Sequence, residues 1–311
     1  MSLIDFFDRM RYWKEPRRFW LSKIYFYRGM NFLSQVLANL VLPLYFTATR
    51  KHYVLKHDDE KKQRIIVSMT SFPVRLGKVH MAIESIFRQS VLPDKIILYL
   101  TKSQVGDIEG LPQALLSMRQ RGLEIKLCQE PIRSHTKYYM AFRDYPDDIV
   151  ITVDDDVIYR SDLIETLLKF HNVYPNSIIV NWAKKIVSDS TGKSYYNQWP
   201  ETVEEDIGKE APKYLLFGVG GVLYPPRCMY EDCLNCDMIQ KLSLTADDVW
   251  LSAMAILKGT TFVYTGYIQH HLPIVIKNNE TLISANYVRN QICVESINTY
   301  YWKKKTVAPL T

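Results

Sequence analysis

The sequence predicts an α/β fold: a Rossmann-like, mostly parallel sheet flanked by helices, preceded by a helical segment that is basic and aromatic. Three observations predict it. Continuous β-branched runs, such as Ile65-Ile66-Val67 and DIVITV (Asp148 to Val153), alternate with stretches of helical apolar spacing, the pattern of strands covered on both faces. The 311 residues are 47% hydrophobic and 23% charged, a globular balance that excludes collagen-like and disordered classes and allows a sizeable core. The formal charge of +6 is confined to the N-terminus: residues 1–51 carry nine basic and three acidic side chains, and the other 260 carry 30 of each. A body without net charge argues against a general nucleic-acid binder.

The elements follow in order. Ile65 to Met69 reads as a buried strand, and Val79 to Arg88 as a helix with Val79, Ala82, Ile83, Ile86 and Phe87 on one side. Lys95 to Leu100 (KIILYL) is the second strand, Leu111 to Arg121 a helix, Glu124 to Leu127 a short third strand and His135 to Arg143 a third helix. Asp148 to Val153 is the fourth strand, and right-handed crossovers connect the series. Beyond Ser177 the rhythm breaks. Ile178 to Asn181 is a strand, Ala183 to Lys213 is a long polar stretch of the kind that forms lids and substrate loops, and Leu215 to Tyr224 is apolar and rich in glycine. Asp247 to Lys258 is an amphipathic helix closed by Gly259, and Thr261 to Thr265 a further strand.

The N-terminal segment lacks the features of a secretory signal. Its longest apolar patch, Phe32 to Phe46, is interrupted by Ser34, Gln35, Asn39 and Pro43, so it is expected to be too short and too polar to span a bilayer. Aromatic residues from Phe6 to Tyr27 lie among arginines, a mixture that suits an anionic membrane surface or packing onto the body. Five scattered cysteines are an odd number and predict free thiols in a reducing compartment; Cys228, Cys233 and Cys236 lack the fourth ligand of a zinc knuckle.

Chemistry concentrates in Asp154-Asp155-Asp156, directly after the fourth strand. Ligands of parallel sheets bind beyond the carboxyl ends of the strands. Three adjacent carboxylates there raise one another's pKa unless a cation compensates, and Mg²⁺ or Mn²⁺ takes such oxygen ligands together with phosphate and water. Extended alternation points Asp154 and Asp156 one way and Asp155 the other. The alternative is a solvated acidic turn.

The run IIVSMTSFPVRLGKVHMAIESIFRQSVLPDKIILYL, from Ile65 to Leu100, resembles the opening of inverting nucleotide-sugar glycosyltransferases of the A-type fold, glycosyltransferase family 2 and its relatives. The helix ending Ser85 to Pro93, the acidic triplet as the "DxD" metal motif, and Thr245-Ala246-Asp247-Asp248 as the later acidic element carry the resemblance over roughly Arg64 to Gly266. The hydrophilic stretch His57 to Arg64 (HDDEKKQR) separates an N-terminal segment, residues 1–56, from the expected catalytic domain at 57–270 (donor half about 64–160, acceptor half about 177–270), with 271–311 as a C-terminal extension.

The resemblance implies that Met69, Thr70, Ser71 and Arg75 line the nucleotide pocket with Asp154 and Asp155. Lys137 is placed near the donor phosphate, with a solvated helix lysine as the alternative. Asp154 and Asp156 would ligate Mn²⁺ or Mg²⁺, with His271 as an additional ligand. Gly220, Gly221 and Trp250 would border the acceptor. Asp248 would be the catalytic base, with Asp247 the second candidate; either could instead cap its helix. After the second strand this chain has Thr101-Lys102-Ser103-Gln104 where the family shows an acidic pair. The expected activity is transfer of a sugar from a nucleotide-sugar donor, a UDP-sugar first, to a glycan or lipid-linked acceptor in cell-surface polysaccharide synthesis. It would act in the cytoplasm, peripheral to the inner face of the membrane, and without nucleic acid. The alternatives are a nucleotidyltransferase on a similar sheet and a catalytically silent carbohydrate- or membrane-binding module.

Overall fold

The structure, a computed structural model, describes residues 2–11, 21–50, 54–55, 63–267, 272–274, 282–305 and 309–311. Its strands are β1 (Ile65–Thr70), β2 (Lys95–Thr101), β3 (Leu123–Cys128), β4 (Ile149–Thr152), β5 (Val157–Ile158), β6 (Ile178–Val180), β7 (Ala183–Lys185), β8 (Glu210–Ala211), β9 (Tyr214–Leu216), β10 (Val222–Tyr224), β11 (Phe262–Tyr264) and β12 (Leu272–Pro273). The helices are α1 (Leu3–Arg11), α2 (Leu21–Thr49), α3 (His80–Phe87), α4 (Lys102–Val105), α5 (Gln113–Met118), α6 (Thr136–Asp144), α7 (Leu163–His171), α8 (Cys236–Leu242), α9 (Asp247–Lys258) and α10 (Leu282–Lys305).

Eight strands form one sheet in the order β3-β2-β1-β4-β10-β6-β11-β8. β1 runs parallel to β2 and β4, with Val67 opposite Ile96 and Ile151. β10 is antiparallel to both β4 and β6, its Val222 opposite Thr152 and Val180. That reversal matters for the site. A strand running the other way starts where its neighbours end, so the glycine turn before β10 reaches the same edge as the residues after β1, β4 and β6.

Alternation along β1 divides the core. Val67 and Met69 pack with Ile83, Phe87 and Leu115 on one side; Ile66 packs with Tyr138, Trp250 and Met254 on the other. The predicted helix from Leu111 to Arg121 is instead α5 followed by a 3₁₀ turn, Arg119–Arg121, ended by Gly122. The polar stretch after Ala183 is not a free lid. β7 pairs with β9, and Trp199 is buried with its indole N–H donating to Ser194 Oγ at 2.9 Å. Gly259 closes α9 at φ 82°, a conformation a side chain would strain.

α1 and α2 cover a third apolar cluster that includes Met81, Ala82 and Leu272. Asp5 accepts from the Ser161 backbone N–H at 3.0 Å and from its hydroxyl at 2.8 Å, tying α1 to the body. Contrary to expectation, α2 is continuous through Pro43, and Gly29–Thr49 is long and apolar enough to cross a membrane by length and composition. The polar residues that looked like interruptions share the side facing the protein, so they leave the outer side unbroken. The aromatic and basic residues from Tyr12 to Trp20 lie outside the described residues. All five cysteines are free.

Candidate active site

The site lies at the carboxyl edge of β1 and β4, where five segments converge: the turns after those two strands, the glycine turn before β10, and the facing starts of α6 and α9. Ser68 Oγ donates to the Lys137 carbonyl at 2.6 Å and holds the first turn of α6 against β1. Lys137 is 4% exposed. Its ammonium lies 2.7 Å from Asp154 Oδ1 and 3.0 Å from Asp247 Oδ2, joining the strand-end triplet to the start of α9. Burial pushes the Lys137 pKa down, but Asp154, Asp247 and Asp248 outweigh it and raise it well above the ordinary lysine value. A solvated helix lysine is therefore excluded.

The triplet divides between two cations. Asp154 turns to Lys137, while Arg75 takes Asp155 at 2.6 Å and Asp156 at 3.0 Å. Asp155 also accepts from Ser71 Oγ at 2.5 Å and is buried, so it anchors the turn rather than meeting a ligand. Burial, and then the neighbouring Asp154, push Asp156 up to about 6. A buried tyrosine that the sequence did not single out, Tyr159, accepts from the Asp154 backbone N–H at 2.8 Å and donates to the Val219 carbonyl at 3.2 Å. It fastens the acidic turn to the glycine turn.

At the start of α9 the two adjacent carboxylates are in different environments. Asp247 accepts from Ser134 Oγ at 2.8 Å as well as pairing with Lys137. Burial works against its charge, but the Lys137 ammonium prevails and holds its pKa below the usual carboxylate range. Asp248 accepts the Gly218 backbone N–H at 3.0 Å. Burial and the adjacent Asp247 drive its pKa well above the carboxylate range, despite Lys137. The residue before α9, Ala246, makes no side-chain cap, and the contacts of Asp247 and Asp248 run to other segments rather than to the helix's own amides. Capping does not account for the pair.

Gly218 closes the site. A Cβ there would lie 3.1 Å from both Asp248 Oδ1 and Lys137 Nζ, and 3.8 Å from Asp154 Oδ1. The neighbouring Gly220 backs onto Trp182, whose ring lies tilted at 37° against Phe217 with centroids 4.8 Å apart. Gly221 has φ 80° and Leu163 beneath it. Ser134, Tyr159 and Trp182 are the contributors that residue pattern alone did not identify; Gly218 belongs to the glycine-rich run that the sequence does mark.

Besides Asp155, three expectations are corrected. Met69 is fully buried between sheet and α3, because its position in β1 points it away from the cleft. Thr70 Oγ1 is committed to the Tyr99 carbonyl at 2.8 Å. Trp250 is fully buried, its indole donating to the Cys233 carbonyl at 3.2 Å, and presents no surface to an acceptor; Trp182 is the aromatic residue at this edge.

Asp154 and Asp156 are partly exposed at the cleft, at 28% and 35% of their side chains. Five carboxylates face two cations here, a surplus of negative charge that fits a hard divalent ion such as Mn²⁺ or Mg²⁺. Among the described residues no three His, Cys, Asp or Glu side chains converge on one point, so the protein's share would be Asp154 and Asp156. His271 lies outside the described residues.

No family model and no curated protein matches the sequence. Solved structures similar to it include a mannosyltransferase from Pyrobaculum calidifontis in complex with GDP-Man and Mn²⁺, at TM-score 0.49 and 11% identity over 88% of this chain and 75% of that one. Another is the CMP:2-keto-3-deoxy-manno-octonic acid synthetase complexed with CTP, at TM-score 0.39 and 14% identity over 76% of this chain and 100% of that one. A third is a UDP-glucose pyrophosphorylase from Acinetobacter baumanii, at 0.38 and 8% over 79% and 95%. With TM-scores below 0.5, the functional reading rests on the strands and side chains described above.

Proposed function

We propose that the chain transfers a sugar from a nucleotide-sugar donor to a hydroxyl acceptor with inversion at the anomeric carbon. The observation that carries this is Lys137, buried between Asp154 of the strand-end triplet and the Asp247–Asp248 pair. It joins a diphosphate-binding edge to a carboxylate of raised basicity. Asp248 receives the acceptor proton as the acceptor oxygen bonds to the anomeric carbon; the bond to the diphosphate breaks and its electron pair leaves with that group. Burial, and then repulsion from Asp247, which Lys137 and Ser134 hold ionised, keep Asp248 basic. Arg75 and Ser71 fix the acidic turn. A divalent cation at Asp154 and Asp156 would neutralise charge on the departing diphosphate.

Asp248 also favours sugar transfer over nucleotidyl transfer. A sugar phosphate attacking a nucleoside triphosphate is already ionised and needs no base, whereas an alcohol must lose a proton. The test is a panel of nucleotide sugars, with and without Mn²⁺, against Asp248→Asn. The variant is expected to bind donor as wild type does and to lose transfer by about 10²–10⁴-fold, the usual worth of a positioned base. Pyrophosphate release from a nucleoside triphosphate and a sugar phosphate, with no nucleoside diphosphate formed from nucleotide sugars, would assign the site to nucleotidyl transfer instead.

A further inference from the structure

α2 buries Ala38, Leu42 and Phe46 against the body, yet its outer side is apolar too, which water does not favour. At about 100° per residue, its outer half-circumference between Phe32 and Ala48 is apolar except for Thr47. Phe32, Leu33, Leu40, Val41 and Leu44 are 69, 45, 63, 38 and 74% exposed on it. Ser34 and Asn39 face the protein. Ser34 Oγ donates to the Phe7 carbonyl at 2.9 Å, and the Asn39 amide donates to the Pro273 carbonyl at 3.0 Å. Arg88, on the segment after α3, donates to Thr49 Oγ1 at 2.9 Å and to the Phe46 carbonyl at 3.2 Å. A surface helix in water carries its apolar side inward and its polar side outward. A core helix would be mostly buried, yet only 22% of this apolar window is.

We propose that α2 seats the protein on an anionic phospholipid bilayer, lying in the plane of one leaflet with this outer side among the upper acyl chains. No Asp, Glu, Lys or Arg occurs from Gly29 to Thr49, a length of about 31 Å at helical rise. Arg28 precedes that stretch and Arg50-Lys51 follow it, so both ends carry the charge that headgroup phosphates attract. The whole positive excess of the chain belongs to this region. The inner side is tied to α1, α3 and the Pro273 segment, which keeps the helix flat against the body rather than across the bilayer. Phe6 on α1, 42% exposed, is a further apolar residue in the same N-terminal layer. Two copies meeting through α2 would oppose basic ends to basic ends, which disfavours a dimer.

The test is flotation of the full chain with vesicles of phosphatidylcholine alone and of phosphatidylcholine mixed with phosphatidylglycerol. Wild type is expected to float with the anionic vesicles and to be released by salt in part. Leu40→Ser/Leu44→Ser alters two exposed side chains, so its circular dichroism should be unchanged while partitioning falls at least about tenfold. Wild type that fails to float, or floats equally after the double substitution, overturns the proposal. A dimer in detergent-free buffer that the same substitutions dissociate would also overturn it, in favour of a second copy. None of these readouts requires catalysis, so the result is independent of the transferase reading.

Discussion

Asp247 and Asp248 are adjacent in sequence and opposite in behaviour, and the difference comes from what each side chain meets. Lys137 and Ser134 favour charge on Asp247; Asp248 has one backbone amide and a like-charged neighbour. The acid limb of kcat/KM is therefore expected above the normal carboxylate range, with activity falling as pH drops through the raised pKa of Asp248. In Asp247→Asn the repulsion is gone, so that limb should move toward lower pH; a pH–rate series on both proteins measures it. Asp156 offers a stability test. Its native pKa, about 6, lies above the unfolded value, so its ionisation costs stability as pH rises from about 4 to 6, and the full cost persists at pH 7. Asp156→Asn should raise Tm at pH 7 by roughly 2 °C, about 1 kcal/mol after discounting for partial exposure, and should abolish the thermal shift produced by Mn²⁺. Arg75 keeps Asp155 in that variant. The acidic residues were legible because they stand at a strand end and a helix start. Met69 was not read correctly, because only alternation within the assembled sheet assigns it to the covered face.

At the level of elements, the site depends on β10 running against its neighbours and delivering a glycine turn to their carboxyl edge. Gly218→Ala would place a methyl 3.1 Å from Asp248 Oδ1 and Lys137 Nζ. The expected result is a fall in kcat/KM of about 10²-fold with little change in Tm, since the displaced groups belong to the proposed catalytic site rather than the core; kinetics alongside thermal melts would show the split. Gly221→Ala should behave differently. Its φ of 80° and the Leu163 methyl beneath it make the substitution costly, by about 1–3 kcal/mol, and thermal denaturation reads that directly. The alternating strands and helices from Ile65 to Thr152 were visible in the residue pattern, as was the cap at Gly259. The pairing of β7 with β9 was not, since three-residue strands in a polar stretch carry no period.

For the molecule as a whole, α1 and α2 are both a cover and a candidate membrane seat. Removing residues 1–50 would uncover Met81, Ala82, Ile158 and Leu272 and deprive Arg88 of two hydrogen-bond acceptors. The truncated chain is expected to melt several degrees lower and to aggregate, as light scattering during a thermal ramp would show. By itself the sequence determined the alternation of strands and helices, the acidic residues at the two element ends, and the concentration of positive charge at the N-terminus, because each is written in local spacing or composition. Only the tertiary structure decided that Lys137 is a buried bridge, that Asp247 meets Lys137 and Ser134 while Asp248 meets the Gly218 amide, that Trp250 is core, and that α2 exposes an apolar side. Those properties depend on which distant segments meet, and contacts between segments far apart in the chain leave no period in either of them.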